Sequence, residues 1–123
     1  MAGRLRPLFT ENFAANLDSI RIFLEPEGKS LFQRLIARLF DDIVPTLCRF
    51  PQSGRSFLAH RARSLESRAL LHRLKGLLGR NDDLREFIVD DYILLYLIRQ
   101  NRLIFLAIKH HYQLSFDLKR LWL

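Results

Sequence analysis

The sequence predicts an α+β domain with its helices first and its strands last. Two stretches at 11–24 and 30–49 place apolar residues at helical spacing, with a five-residue break between them. Three short runs of branched and aromatic residues follow at 84–90, 92–98 and 102–108, joined by tight turns. Helices linked so briefly fold back as a hairpin, and strands linked so tightly pair antiparallel. The hairpin can then cover one face of the sheet.

Each element has a local reason. "RLRPLFT" (4–10) alternates weakly and contains Pro7, which suits a short strand with proline near its start or on a sheet edge. Thr10 stands where an N-cap belongs, and Glu11 favours the first turn of the helix that follows. Phe13, Leu17, Ile20 and Leu24 form one face of that helix, and "EPEG" (25–28) stops it. Phe32, Leu35, Ile36, Leu39, Phe40, Ile43 and Leu47 give the second helix a broad apolar stripe to about Arg49. Pro45 interrupts it: the ring clashes with the Asp41 carbonyl and supplies no N–H, so a kink or an early end is expected near Val44. "FPQSGR" (50–55) is a turn with Gly54 as its permissive residue. Residues 57–80 read as a further helix, closed by "GRNDD" (79–83). The tail, "LSFDLKRLWL" (114–123), fits either a strand or a short helix.

The strands at 92–98 and 102–108 are apolar at nearly every position. A sheet with one wet face would alternate, so both faces of this pair are expected to be covered. The hairpin covers one. The other calls for the basic helix, a second copy or a different protein.

Composition narrows the classes. With 123 residues and 49% apolar content the chain makes one globular domain. Cys48 has no partner cysteine, and among helical apolar residues it reads as packed rather than nucleophilic. The start carries Arg4 and Arg6 without an apolar segment behind them, and "YILLYLI" is far short of a bilayer span. A soluble, cytoplasmic protein with no membrane partner is expected. The net charge is +7, and residues 55–80 hold seven basic residues against Glu66 alone, a local +6. Such a field suits a polyanion or an acidic protein, or is simply a solvated helix face.

Chemistry-bearing side chains gather at one place. Lys109, His110, His111, Tyr112 and Gln113 follow the last strand at once. Histidine, tyrosine and lysine could supply base, acid and phosphate cation for metal-free RNA cleavage. They could equally contact a partner, or mark where a strand leaves the core. Adjacent strand residues point to opposite faces, so His110 and His111 cannot act side by side if the strand continues. Arg55 and Arg85 could bind phosphate or carboxylate, or form ordinary ion pairs. Tyr92 and Tyr96 share a face and could stack bases, or sit in the core with a hydroxyl at the rim. His60 and His72 have no ligand-spaced partners, so neither a metal site nor a cofactor is expected.

The order of elements, with "FPQSGR" (50–55), "LREFIVDDYILLYLI" (84–98) and "LIFLAIKHHYQLSF" (103–116), resembles the RelE/ParE superfamily of bacterial toxins. The likeness spans roughly residues 5–55 and 84–118. It implies two helices packed on a small, curved antiparallel sheet. The helix expected at 57–80 departs from that pattern, being longer than the usual connection before the "LRE" strand, and reads as a basic insertion. It also implies a cognate antitoxin wrapping the surface, with DNA reached only through that antitoxin. RelE-like ribonucleases carry an arginine straight after the first tyrosine of the Y-x-x-x-Y strand, and this sequence has Ile93 there. The resemblance is therefore closer to the ParE-like branch, whose members inhibit DNA gyrase and need no nuclease site. The function expected is growth arrest by binding a macromolecular target, DNA gyrase first. The alternatives are a ribosome-dependent mRNA endonuclease, with His110, His111, Tyr112 and Lys109 as its candidate residues, and a non-toxic binding module of the same fold. Lys109, His110, Tyr112 and Gln113 are the expected target or antitoxin contacts, with Arg55 and Arg85 second. A homodimer and a toxin–antitoxin hetero-oligomer both remain open.

Overall fold

The computed structural model describes residues 4–24, 29–57, 72, 76 and 78–110. Its elements run β1 (Arg6–Phe9), α1 (Glu11–Leu24), α2 (Lys29–Arg38), a widened turn (Leu39–Ile43), α3 (Val44–Arg49), a short tight turn (Pro51–Ser53), β2 (Arg55–Ser56), β3 (Asp83–Val89), β4 (Tyr92–Arg99) and β5 (Arg102–His110). The five strands form one sheet in the order β1-β5-β4-β3-β2. From β2 to β5 neighbours are antiparallel, and for β3–β4 and β4–β5 the tight turns require it. β1 joins β5 in parallel at the edge, so the sheet is mixed. Pro7 sits on that edge strand, where its missing donor is tolerated.

Thr10 caps α1 as expected, its hydroxyl accepting from the Phe13 N–H at 3.1 Å. Pro45 neither ends the second helix nor breaks the chain. The helix widens between Leu39 and Ile43, and the Val44 N–H reaches back five residues to the Leu39 carbonyl. That offset removes the need for a bond from residue 45 to Asp41, which proline has no hydrogen to make.

The sheet is covered on both faces within this one chain. On the helical side Phe13, Leu39, Ile43, Val44, Leu47 and Cys48 pack against Val89, Leu94, Tyr96, Leu103, Phe105 and Ile108. On the other side Leu84, Leu95, Leu97, Leu106 and Ala107 form a second cluster with Phe57, and Leu78 packs against it. Leu94 to Leu97, Leu103 and Phe105 to Ala107 are fully buried. Of the three lids expected for this second face, neither a second copy nor another protein is needed to bury it. Phe57 and Leu78, near the two ends of the 57–80 segment, pack on the face left open by the helices. Most of the basic helix expected at 57–80, and the tail at 114–123, lie outside the described residues.

Two knots fix the loops to the sheet. The Tyr96 hydroxyl donates to the Pro51 carbonyl at 2.6 Å and accepts from the Gly54 N–H at 3.0 Å. Gly54 has an extended backbone (φ −77°), so its role is not the left-handed conformation expected of a turn glycine. A Cβ there would stand 2.5 Å from the Tyr96 oxygen and 2.6 Å from the Glu86 carbonyl. Glycine is required because the turn presses directly onto the sheet. The second knot is Asp82, which receives Arg99 through three contacts of 2.7 to 3.2 Å and the Gly79 N–H at 2.7 Å.

Tyr96→Phe keeps the ring but strands the Gly54 N–H and the Pro51 carbonyl. Its expected cost is about 1–3 kcal/mol, read as a lower urea midpoint with an unchanged slope. Arg99 and the Gly79 N–H hold the Asp82 carboxyl below its ordinary range, the Arg99 hydrogen bond contributing most. A carboxylate depressed in the folded state stabilises above its unfolded pKa, about 3.9, and loses that contribution as pH falls through the folded value. The stability gap between the native chain and Asp82→Asn should therefore be level above about pH 5 and close as the pH drops below about 4. A gap that widens on acidification would contradict the pairing.

Candidate functional site

β1 ends at Phe9, where Thr10 turns the chain into α1, but β5 runs on from Leu106 to His110. The ledge so formed lies beside α1. Three side chains of the β1–α1 segment reach it. Thr10 Oγ1 donates to the Leu106 carbonyl at 3.1 Å, and Asn12 Nδ2 donates to the same oxygen at 2.9 Å. Asn16 is buried, and its Oδ1 accepts the Ile108 N–H at 3.1 Å. These groups stand in for a missing strand.

Beyond Asn16 the ledge and α1 enclose a cleft of about 560 Å³. Ile20, Phe23, Tyr92 and Ile108 give it apolar walls, while Asn16, Ser19, Lys109 and His110 supply polar groups. Phe23 is 78% exposed, so one wall is a ring open to solvent. His110 lies edge-on to Tyr92, ring centroids 5.5 Å apart, and the two residues are paired across β4 and β5. Burial, then Asp91 and Asp90, push the Tyr92 hydroxyl above the usual phenol range, so it stays protonated and can donate at neutral pH. An apolar recess with a cation and an imidazole beside it suits a protruding aliphatic or aromatic side chain flanked by acidic or amide groups.

The expected site residues do not all converge. Lys109 and His110 border the cleft. His111, Tyr112 and Gln113 lie outside the described residues. Arg55 and Arg85 belong to the opposite part of the sheet. Arg55 pairs at 2.7 Å with Glu86, whose side chain is fully buried. Arg85 pairs with Asp83 at 2.8 Å and donates to the Gly54 carbonyl at 2.6 Å. Both arginines thus tie the 50–56 turn to β3.

The two tyrosines do not form a base-stacking platform. Tyr96 is fully buried with its hydroxyl used on the turn, and Tyr92 packs at the margin of the same core. Cys48 is buried, and burial raises its thiol pKa against a smaller opposing effect of Arg4, which makes it a poor nucleophile. His72 is exposed, His60 lies outside the described residues, and no cluster of three potential metal ligands occurs among the described residues. No helix among those residues is long and apolar enough to cross a membrane. Asn12 and Asn16 were missed in the sequence. Their only signal was a pair of amides one turn apart on the buried side of an apolar helix.

The architecture matches the α+β expectation, with helices on one face of a small five-stranded sheet. Among curated proteins none matches this chain. A family model described as the ParE toxin of the type II toxin–antitoxin system parDE covers residues 8–114, and the chain belongs to that family.

Proposed function

We propose that this ParE-family chain arrests growth by binding DNA gyrase, and that the cleft between α1 and the end of β5 is its contact surface. Family membership brings a cognate antitoxin with it. In this reading the antitoxin covers the same cleft, inserting an apolar side chain against Phe23 and Tyr92 and an acidic group toward Lys109. Tyr112 and Gln113 are added to the contact on sequence alone. Arg55 and Arg85, held by carboxylates, support the neighbouring turn instead.

Ile93 carries the choice of target. At the position where an RNA-cleaving relative is expected to hold arginine, this chain has an isoleucine that is 6% exposed. A buried aliphatic group cannot neutralise a scissile phosphate. One observation favours the endonuclease reading instead: His110 and Tyr92, an imidazole and a protonated phenol, lie in contact beside an open cleft.

Inducible expression with and without the adjacent small gene separates the two. A gyrase poison accumulates cleaved plasmid and leaves transcripts whole. An endonuclease yields cut transcripts, abolished by His110→Ala in a folded chain. Expression tolerated at high level without the adjacent gene would instead support a non-toxic binding module. Within the gyrase reading, Phe23→Ala and Lys109→Ala should each weaken antitoxin binding about tenfold or more, as central contacts do, measured by titration of the purified pair. Unchanged affinity in both variants would remove the cleft from the interface.

A further inference from the structure

The register of β4 and β5 is not uniform. From the turn at Gln100 and Asn101, Arg99 pairs with Arg102 and Tyr96 with Phe105, but Leu95 then pairs with Ala107. Leu106 is an extra residue, a β-bulge. Pairing carried on regularly from the turn would set Lys109 opposite Tyr92. The bulge sets His110 there instead. It also re-phases the strand, so that Phe105 and Ile108 both join the helical-side core while Leu106 and Ala107 join the other.

The bulge lies where β5 loses its β1 neighbour, and the groups that meet it come from Thr10 and α1. Thr10 also receives it through its backbone, the Thr10 N–H donating to the Phe105 carbonyl at 3.1 Å. Asn12 and Asn16 stand one helical turn apart and so face the ledge together. Asn12 Nδ2 reaches both the Leu106 carbonyl at 2.9 Å and Asn16 Oδ1 at 3.4 Å, while Asn16 Oδ1 takes the Ile108 N–H at 3.1 Å. This orders the roles: Asn12 must donate and Asn16 must accept. A regular register would move both Leu106 and Ile108 away from these partners and leave the Asn16 amide buried without them.

We propose that Asn12 and Asn16 are positioning residues for the cleft: they hold the extra residue in β5 and thereby set His110, rather than Lys109, against Tyr92. The inference rests on reading the cleft as the contact surface, but its structural half can be tested apart from that reading.

The full isotope-labelled chain is compared by NMR with Asn16→Asp, Asn16→Ala and Asn12→Asp. Asn16→Asp retains the acceptor and should keep the proton–proton contact between the Tyr92 and His110 rings. Asn16→Ala removes the acceptor, and Asn12→Asp points an oxygen at the Leu106 carbonyl. Both should lose that ring contact and speed Ile108 amide exchange at least tenfold. If Asn12→Asp does not fold, Asn12→Ala removes the donor more gently and should give the same loss. Deleting Leu106 supplies a rescue: with no extra residue, regular pairing itself places His110 opposite Tyr92, so adding Asn12→Asp should no longer displace it. A ring contact that survives in folded Asn16→Ala and in the folded Asn12 variant overturns the proposal. If the contact is lost but antitoxin binding and growth arrest are unchanged, the positioning role stands and the cleft reading falls.

Discussion

Burial of the β4–β5 pair on both faces is the constraint from which the rest follows. Two adjacent strands that are apolar on both sides cannot rest on one hydrophobic layer. The helical hairpin supplies one cover, and Phe57 and Leu78 help supply the other. The chain must therefore leave α3, turn sharply at 50–54 and cross to the far side of the sheet. That crossing explains why the turn presses onto Tyr96 closely enough to exclude a Cβ at Gly54. It also explains why a fully buried Glu86 is tolerated: Arg55 arrives beside it on the short strand that begins the crossing.

The same constraint shapes the cleft. β1 is four residues long and β5 nine, so the longer strand must find other partners for its last backbone groups. Side chains near the start of α1 provide them, and the price is a polar patch of Thr10, Asn12 and Asn16 against the core. Where that patch ends, the helix and strand diverge and leave a recess whose walls are apolar. The proposed antitoxin contact uses this recess, which is already formed and marked by a few polar groups.

Much of the fold was legible because periodicity and turn chemistry act locally. Thr10 as a cap, the α1 stripe and the hairpin at 99–102 follow from residues close in sequence. The parallel placement of β1 was not legible, since nothing in "RPLF" says which strand it will meet. Neither was the widened helix at Leu39–Ile43; Pro45 announced a disturbance but not its form. At the site, Lys109 and His110 were visible as a polar break after an apolar run. Arg55 and Arg85 were visible as cations, but their carboxylate partners depend on register between distant segments. The bulge at Leu106 was invisible for a similar reason: its fixing partners lie more than ninety residues away. The lid for β4 and β5 stayed open between the 57–80 segment, a second copy and another protein, because the sequence shows how much apolar surface exists, not which segment returns to hide it.

The central claim is that the ledge beyond β1, and not the 50–56 turn held by Arg55 and Arg85, is the surface on which this ParE-family toxin meets its antitoxin. Hydrogen–deuterium exchange of the full chain, alone and bound to the product of the adjacent gene, tests it most directly. The account predicts new protection concentrated at residues 16–23 and 106–110, with the 50–56 turn little changed. Protection confined to 50–56 and β3, with the ledge exchanging as in the free chain, would contradict it.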